Sequence, residues 1–205
     1  MRVIKMNKID SKAVKEKIAS SDFVTQTSAF IKKIKNREYA FELSKRTVIF
    51  MAFIIAGVIF GDQLTKMLAD RKLMEMQSYE IIDNFFYFTY VHNYGMAWSM
   101  LDGARWLFLI ITPLALAGMI YFFFATKKHE VLTRYGIVLV FGGAVGNYID
   151  RLLLGYVRDF IQFYIFGYDF PIFNVADIAV VIGMGMIILE IFIQEYQIWK
   201  LSKSL

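Results

Sequence analysis

The chain has 205 residues, 58% hydrophobic, 17% aromatic and 20% charged, with a mean hydropathy of +0.48 and a net charge of +5. That is too apolar for an ordinary soluble domain, and the lack of any cysteine excludes disulfides, thiolate catalysis and thiolate metal sites together. The positive charge suits contact with anionic membrane lipid rather than nucleic acid, because the basic residues gather in a tail instead of alternating with exposed aromatics.

Residues 1–46 form a basic N-terminal extension holding twelve of the 23 lysines and arginines. No secretory signal peptide is read here, since a long charged stretch precedes the first apolar run. Val14, Ile18, Phe30, Ile31 and Ile34 make a weak apolar stripe, and the extension is read as a solvated cytoplasmic segment or a helix drawn to anionic headgroups.

A membrane span needs about 20 mostly apolar residues. The first expected span covers 47–68, unbroken from Val48 to Phe60 and then carrying Asp62 and Lys66. Residues 79–101 follow as an outer aromatic region, in which Phe85 to Val91 before Asn93-Tyr94-Gly95 predicts short strands. Spans are expected at 106–126, without any charge, at 135–154, which must admit Asp150 and Arg151, and at 171–193, which must admit Asp177. Gly142 with Gly146, and Ala179 with Gly183, read as small-residue helix contacts. The fold expected is a mainly α membrane protein: a four-helix transmembrane bundle, 47–199, with a small extracytoplasmic β-sheet between spans 1 and 2.

Orientation follows from the loop cations. Lys127, Lys128, Arg134, Lys200 and Lys203 join the N-terminal set, whereas the loop from 69 to 105 offers only Arg71, Lys72 and Arg105 against Asp70, Glu75, Glu80, Asp83 and Asp102. Both termini are therefore expected in the cytoplasm of a multi-pass cell-membrane protein. Asp62 and Asp150 come late in outward spans, and Asp177 about six residues, or roughly 9 Å, into an inward one. All three carboxylates gather toward the outer leaflet, with Asp159 in the loop beside them. Carboxylates in hydrocarbon are costly and mark function.

Three chemistries fit such a cluster. Two carboxylates sharing a proton can activate water against a peptide bond, and spacing alone leaves Asp62, Asp150, Asp159 and Asp177 all open as members. A Ser99/Lys66 dyad is disfavoured because Asp62, one turn away, keeps the lysine protonated. A proton or cation pathway is disfavoured because the acids collect at one end. His92 and His129 flank an apolar span and cannot share a zinc ion, and no metal site is expected.

Four blocks in order then resemble the lipoprotein signal peptidase (signal peptidase II) family: Asp62-Gln63-Leu64-Thr65-Lys66; Asn93-Tyr94-Gly95-Met96-Ala97-Trp98-Ser99; Gly142 to Arg151 continuing through Gly155-Tyr156-Val157-Arg158-Asp159-Phe160; and Phe173-Asn174-Val175-Ala176-Asp177. The resemblance spans about 61 to 189. It implies an aspartic endopeptidase that removes the signal peptide from diacylglyceryl-modified prolipoproteins, cutting before the lipidated cysteine, with no metal or organic cofactor. It implies Asp159 and Asp177 as the catalytic pair. Asn93, Gly95, Asn147, Asp150, Arg151, Asn174 and Ala176 are expected to support the site or hold substrate, and Asp62 with Lys66 to form a structural pair. Trp98 stands where the family commonly has phenylalanine, and the N-terminal extension has no counterpart. Expected partners are lipidated prolipoprotein and membrane lipid, with the chain acting as a monomer and its site on the extracytoplasmic side.

Overall fold

A computed structural model describes residues 44–74, 78–95, 101, 103–127 and 129–203. The expectations for the N-terminal stripe, for Trp98 and for Ser99 lie outside the described residues. Four helices are long and apolar enough to cross a membrane: α1, Lys45–Leu73; α2, Arg105–Ala125; α3, Val131–Leu153; and α4, Val175–Lys203. At 1.5 Å per residue the shortest is roughly 31 Å long, the thickness of a bilayer's hydrocarbon. Large apolar side chains such as Phe53, Phe60, Leu114, Val181 and Phe192 are mostly exposed on the helix surfaces, and α2 buries none of its residues. This is the pattern of a bundle whose solvent is lipid.

Local chemistry sets the helix ends. Ser44 caps α1, its hydroxyl accepting from the Thr47 amide at 3.1 Å. Arg71 and Lys72 occupy the last turn of α1, and Lys200 and Lys203 that of α4, where cations meet the negative end of the helix dipole. α1, α3 and α4 extend beyond the apolar cores from which spans were drawn, because polar residues such as Thr133 and Arg134 continue a helix they do not make hydrophobic. Pro171–Asn174, expected inside the fourth span, instead precede the helix.

The sheet has the order β1-β2-β3-β4, from β1 (Ser78–Ile82), β2 (Phe86–Asn93), β3 (Val157–Ile165) and β4 (Tyr168–Asp169), with every pairing antiparallel. Only its first half lies between α1 and α2; β3 and β4 come from the connection between α3 and α4, which was read as loop. β2 and β3 pair so that Val91 faces Asp159 and Asn93 faces Val157, past an irregularity between Phe88 and Val91. The chain after β4 then returns beside β3: Phe160 and Ile161 donate to the Phe173 carbonyl at 3.1 and 2.9 Å, and Phe173 donates back to Ile161 at 3.0 Å. The sheet is seated on the end of α1, where Ala69, Leu73 and Phe160 pack with Phe88, Tyr90, Ile161 and Val175, and Tyr90 Oη donates to Asp70 at 2.8 Å.

Glycine sets how closely α3 meets its neighbours. A Cβ at Gly146 would stand 2.6 Å from Asp62 Oδ2, and one at Gly143 would collide with the Ala176 carbonyl. The small residues thus admit the polar ends of α1 and α4, beyond ordinary apolar packing.

Candidate active site

The return of residues 171–173 along β3 brings two carboxylates to one amide. Asp159 lies on β3 and is 3% exposed. Its Oδ2 accepts from Asn93 Nδ2 at 2.8 Å and its Oδ1 from Asn174 Nδ2 at 2.6 Å. Asp177 lies in the first turn of α4. Its Oδ1 accepts from Asn147 Nδ2 at 2.8 Å and its Oδ2 from the Asn174 backbone amide at 3.1 Å. Asn174 therefore touches both acids, one through its side chain and the other through its backbone.

Asn174 and Asp177 also form a reciprocal cap. The Asn174 side-chain oxygen accepts from the Asp177 amide at 3.1 Å while Asp177 accepts from the Asn174 amide. This is the capping-box arrangement with Asn and Asp in the two roles. It also corrects the expected depth of Asp177, which is the third residue of its helix rather than about the sixth of a span, because the cap starts α4 at Val175.

A buried charged network orients the amides. Lys66 Nζ donates to Asp62 Oδ2 and to Asn147 Oδ1, both at 2.8 Å, and stands 3.6 Å from Asp150 Oδ2. Lys66 has only hydrogens to give, so its bond fixes which end of the Asn147 amide is oxygen. That oxygen also accepts from Asn174 Nδ2 at 3.1 Å, and the Asn147 nitrogen must then point to Asp177. Asp62 and Lys66 are both wholly buried. The other oxygen of Asp62 accepts from the Ala176 amide at 3.0 Å, which explains the place of Ala176 in the pattern: its backbone is used, in a space too small for a larger side chain. The ion pair joins α1 to the start of α4.

Asp150 and Arg151 turn to different partners, as neighbours about 100° apart on a helix must. Asp150 accepts from Arg158 through Nη2 at 2.7 Å, Nε at 3.1 Å and the backbone amide at 3.0 Å, and from Gln63 at 3.0 Å. Arg151 donates to the Gly95 carbonyl at 2.9 Å and lies over the Phe108 ring, 4.5 Å from its centroid. Gly95 in turn donates to Asn93 Oδ1 at 2.9 Å. Arg158 and Gln63 were not read from the sequence as site residues. The available signal was strand alternation: a residue beside Asp159 must face the opposite way, toward the helices.

A cavity of about 400 Å³ opens on the pair, with Asn93, Phe108, Asn147, Arg151, Asp159 and Asp177 in its wall. Burial, and next the charge of Asp177, push the Asp159 carboxyl up to about 7, against the pull of the Asn93 and Asn174 hydrogen bonds and of Lys66. Two acids bridged by one asparagine, one of them holding its proton near neutral pH, can both give and take a proton at a single bond. Among the described residues no group of three or more side chains is arranged to hold a metal ion. Lys66 is buried among Asp62, Asp150 and Asn147.

The chain is similar to several known proteins. Residues 54–193 match the family model for signal peptidase (SPase) II. A lipoprotein signal peptidase of Symbiobacterium thermophilum is 44% identical over 142 residues, 69% of this chain and 92% of the relative. One from Halalkalibacterium halodurans is 41% identical over 144 residues, 70% of this chain and 92% of the relative. A solved structure described as a bacterial membrane enzyme, determined by the in meso method at 2.3 Å, superposes with a TM-score of 0.63 at 38% identity, covering 76% of this chain and 91% of that one.

Proposed function

The chain belongs to the signal peptidase II family, and on that premise we propose that it is an aspartic endopeptidase acting on diacylglyceryl-modified prolipoproteins, with Asp159 and Asp177 as its catalytic pair. The observation that carries the reading is the shared residue: Asn174 donates to Asp159 through its side-chain amide and to Asp177 through its backbone amide. Such a bridge holds two carboxylates at one substrate bond.

In the proposed reaction Asp159 carries the shared proton and donates it to the carbonyl oxygen of the scissile peptide. Asp177 takes a proton from the attacking water, whose oxygen bonds to the carbonyl carbon. The tetrahedral intermediate collapses as the C–N bond breaks. The proton held by Asp177 goes to the leaving nitrogen, Asp159 recovers its own from the gem-diol, and the pair returns to its starting state. Asn93, Asn147 and Asn174 keep the carboxylates fixed throughout, which saves reorganisation in the transition state. Arg151 and the Gly95 carbonyl it holds line the approach, where an extended substrate backbone finds polar partners.

The cut is placed immediately before the lipidated cysteine, and the aspartates are placed at the extracytoplasmic face of the cell membrane with both termini in the cytoplasm. The excess of lysine and arginine at the ends of the chain and in the α2–α3 connection supports that orientation. The test is incubation of the purified protein with a diacylglyceryl prolipoprotein beside its unlipidated precursor. Cleavage of the first alone, abolished in Asp177→Asn, is the expected result. Equal cleavage of both overturns the substrate assignment, and full activity in Asp177→Asn overturns the pair.

A further inference from the structure

A second cavity, of about 320 Å³, lies among α1, α2 and α3, with Val48, Met51, Ile55, Phe123, Ile137 and Phe141 in its wall. It sits away from the aspartates, since Val48 lies in the first turn of α1 and Phe123 in the last of α2, whereas Asp62 lies in the second half of α1 and Phe108 in the first turn of α2. Its volume falls in the roughly 300–1,000 Å³ range of small-ligand sites. The lining is wholly apolar, so water there would find no hydrogen-bond partners.

Cations stand just beyond this lining, on α1, on α3 and in the connection that follows α2. On α1 it is Lys45, three residues before Val48, with Arg46 beside it; both are exposed. Lys127 follows Phe123 by four residues and Arg134 precedes Ile137 by three. The acids facing the same end are engaged with backbone: Glu130 accepts from the Lys127 amide at 2.8 Å and Glu190 from the Leu132 amide at 2.9 Å. Glu130 and Glu190 keep their charge in these bonds and act on the nearby Arg134, so the basic character of the mouth comes from Lys45 and Arg46, while the interior is greasy.

We propose that this cavity binds one acyl chain of an anionic diacyl phospholipid, drawn from the leaflet away from the catalytic aspartates, with its headgroup on Lys45 and Arg46. An acyl chain exchanges one apolar environment for another on entering, so chain burial alone gives little selectivity. Preference among lipids comes from the headgroup, at roughly fivefold per basic residue near the surface. The site is separate from the catalytic cavity and does not depend on the peptidase reading.

The full chain, reconstituted with phosphatidylglycerol and phosphatidylcholine in equal amounts, tests this by native mass spectrometry of the lipid retained on release. Phosphatidylglycerol is expected to stay bound preferentially, with one copy surviving activation longest. The double variant Lys45→Gln/Arg46→Gln, at exposed positions that leave folding intact, lowers that preference at least roughly fivefold. A size series at Ala52, which lines the cavity, reads the chain site: Ala52→Leu weakens retention and Ala52→Trp removes the last copy, with unchanged peptidase activity in detergent. Equal retention of the two lipids, or retention untouched by either set of changes, overturns the proposal.

Discussion

Asn174 and Asp177 hold each other's backbone amides at 3.1 Å, so the residue that starts α4 also fixes the Asp177 carboxylate. The same asparagine gives its side-chain amide to Asp159 at 2.6 Å. One residue is thus both a helix cap and the link between two acids.

Replacing it separates these duties. Asn174→Ala removes a cap worth about 1 kcal/mol and leaves Asp159 short of a donor, a loss of roughly 1–3 kcal/mol. The expected outcome is a modest fall in unfolding temperature together with a fall in kcat of two orders of magnitude or more. Thermal unfolding in detergent and a cleavage assay check the two effects on one sample. A variant of unchanged kcat argues against the bridge.

Asp159→Asn and Asp177→Asn preserve shape and remove charge. Each is expected to abolish cleavage of lipidated substrate while the protein stays in the membrane at ordinary abundance. Measurable turnover in either removes that residue from the pair.

The proposed reaction makes activity, as well as stability, depend on the Asp159 proton, with a sign that follows from its elevated pKa of about 7. Donation to the scissile carbonyl needs that proton, so cleavage is expected to fall as pH rises through about 7. The folded chain binds the proton more tightly than the unfolded chain, whose carboxylates titrate near 4. The associated stability is complete below the unfolded value and is lost as pH climbs through the folded one. Unfolding temperatures measured from pH 4 to 8 should decline for the parent chain and decline less for Asp159→Asn. Parallel curves would contradict the shift.

Lys66→Met leaves Asp62 and Asp150 with less compensation in a buried setting. Breaking such a pair from one side costs about 3–5 kcal/mol. Low yield and early unfolding are expected, with reduced but detectable cleavage in the protein that folds. The double variant Lys66→Met/Asp62→Asn should recover part of the stability. Complete inactivity with normal unfolding would instead assign the lysine a chemical role.

Arg158 ties β3 to α3 through three bonds to Asp150. Arg158→Gln keeps the backbone bond and loses the others, allowing the neighbouring Asp159 to shift. A kcat about tenfold lower with KM little changed is expected, since a small displacement of a catalytic group weakens chemistry more than binding. Steady-state kinetics on lipidated peptide decide it.

The helices and the carboxylate cluster were legible because charge in an apolar run is conspicuous: Asp62, Lys66, Asp150 and Asp177 announce themselves by what surrounds them. Asp159 has no such background, and its pairing with Asp177 entered through family resemblance. β3 was missed since its partner β2 lies more than sixty residues earlier and local patterning contains no information on that register. Arg158 went unread for a related reason: its value depends on Asp150 being across a gap that only tertiary structure closes. Gly146 was seen as a small residue for helix packing, but its close neighbour is the Asp62 carboxylate, a contact that spacing rules do not anticipate.

Asp62 Oδ1 receives the Ala176 amide at 3.0 Å, so the first helix supplies a hydrogen bond to the beginning of the last. A polypeptide emerging from the ribosome makes the donor of that bond more than a hundred residues after the acceptor. Until that last helix is made, Asp177 has no place beside Asp159, and the proposed pair is incomplete. The first and last helices are thereby joined only once both have been made.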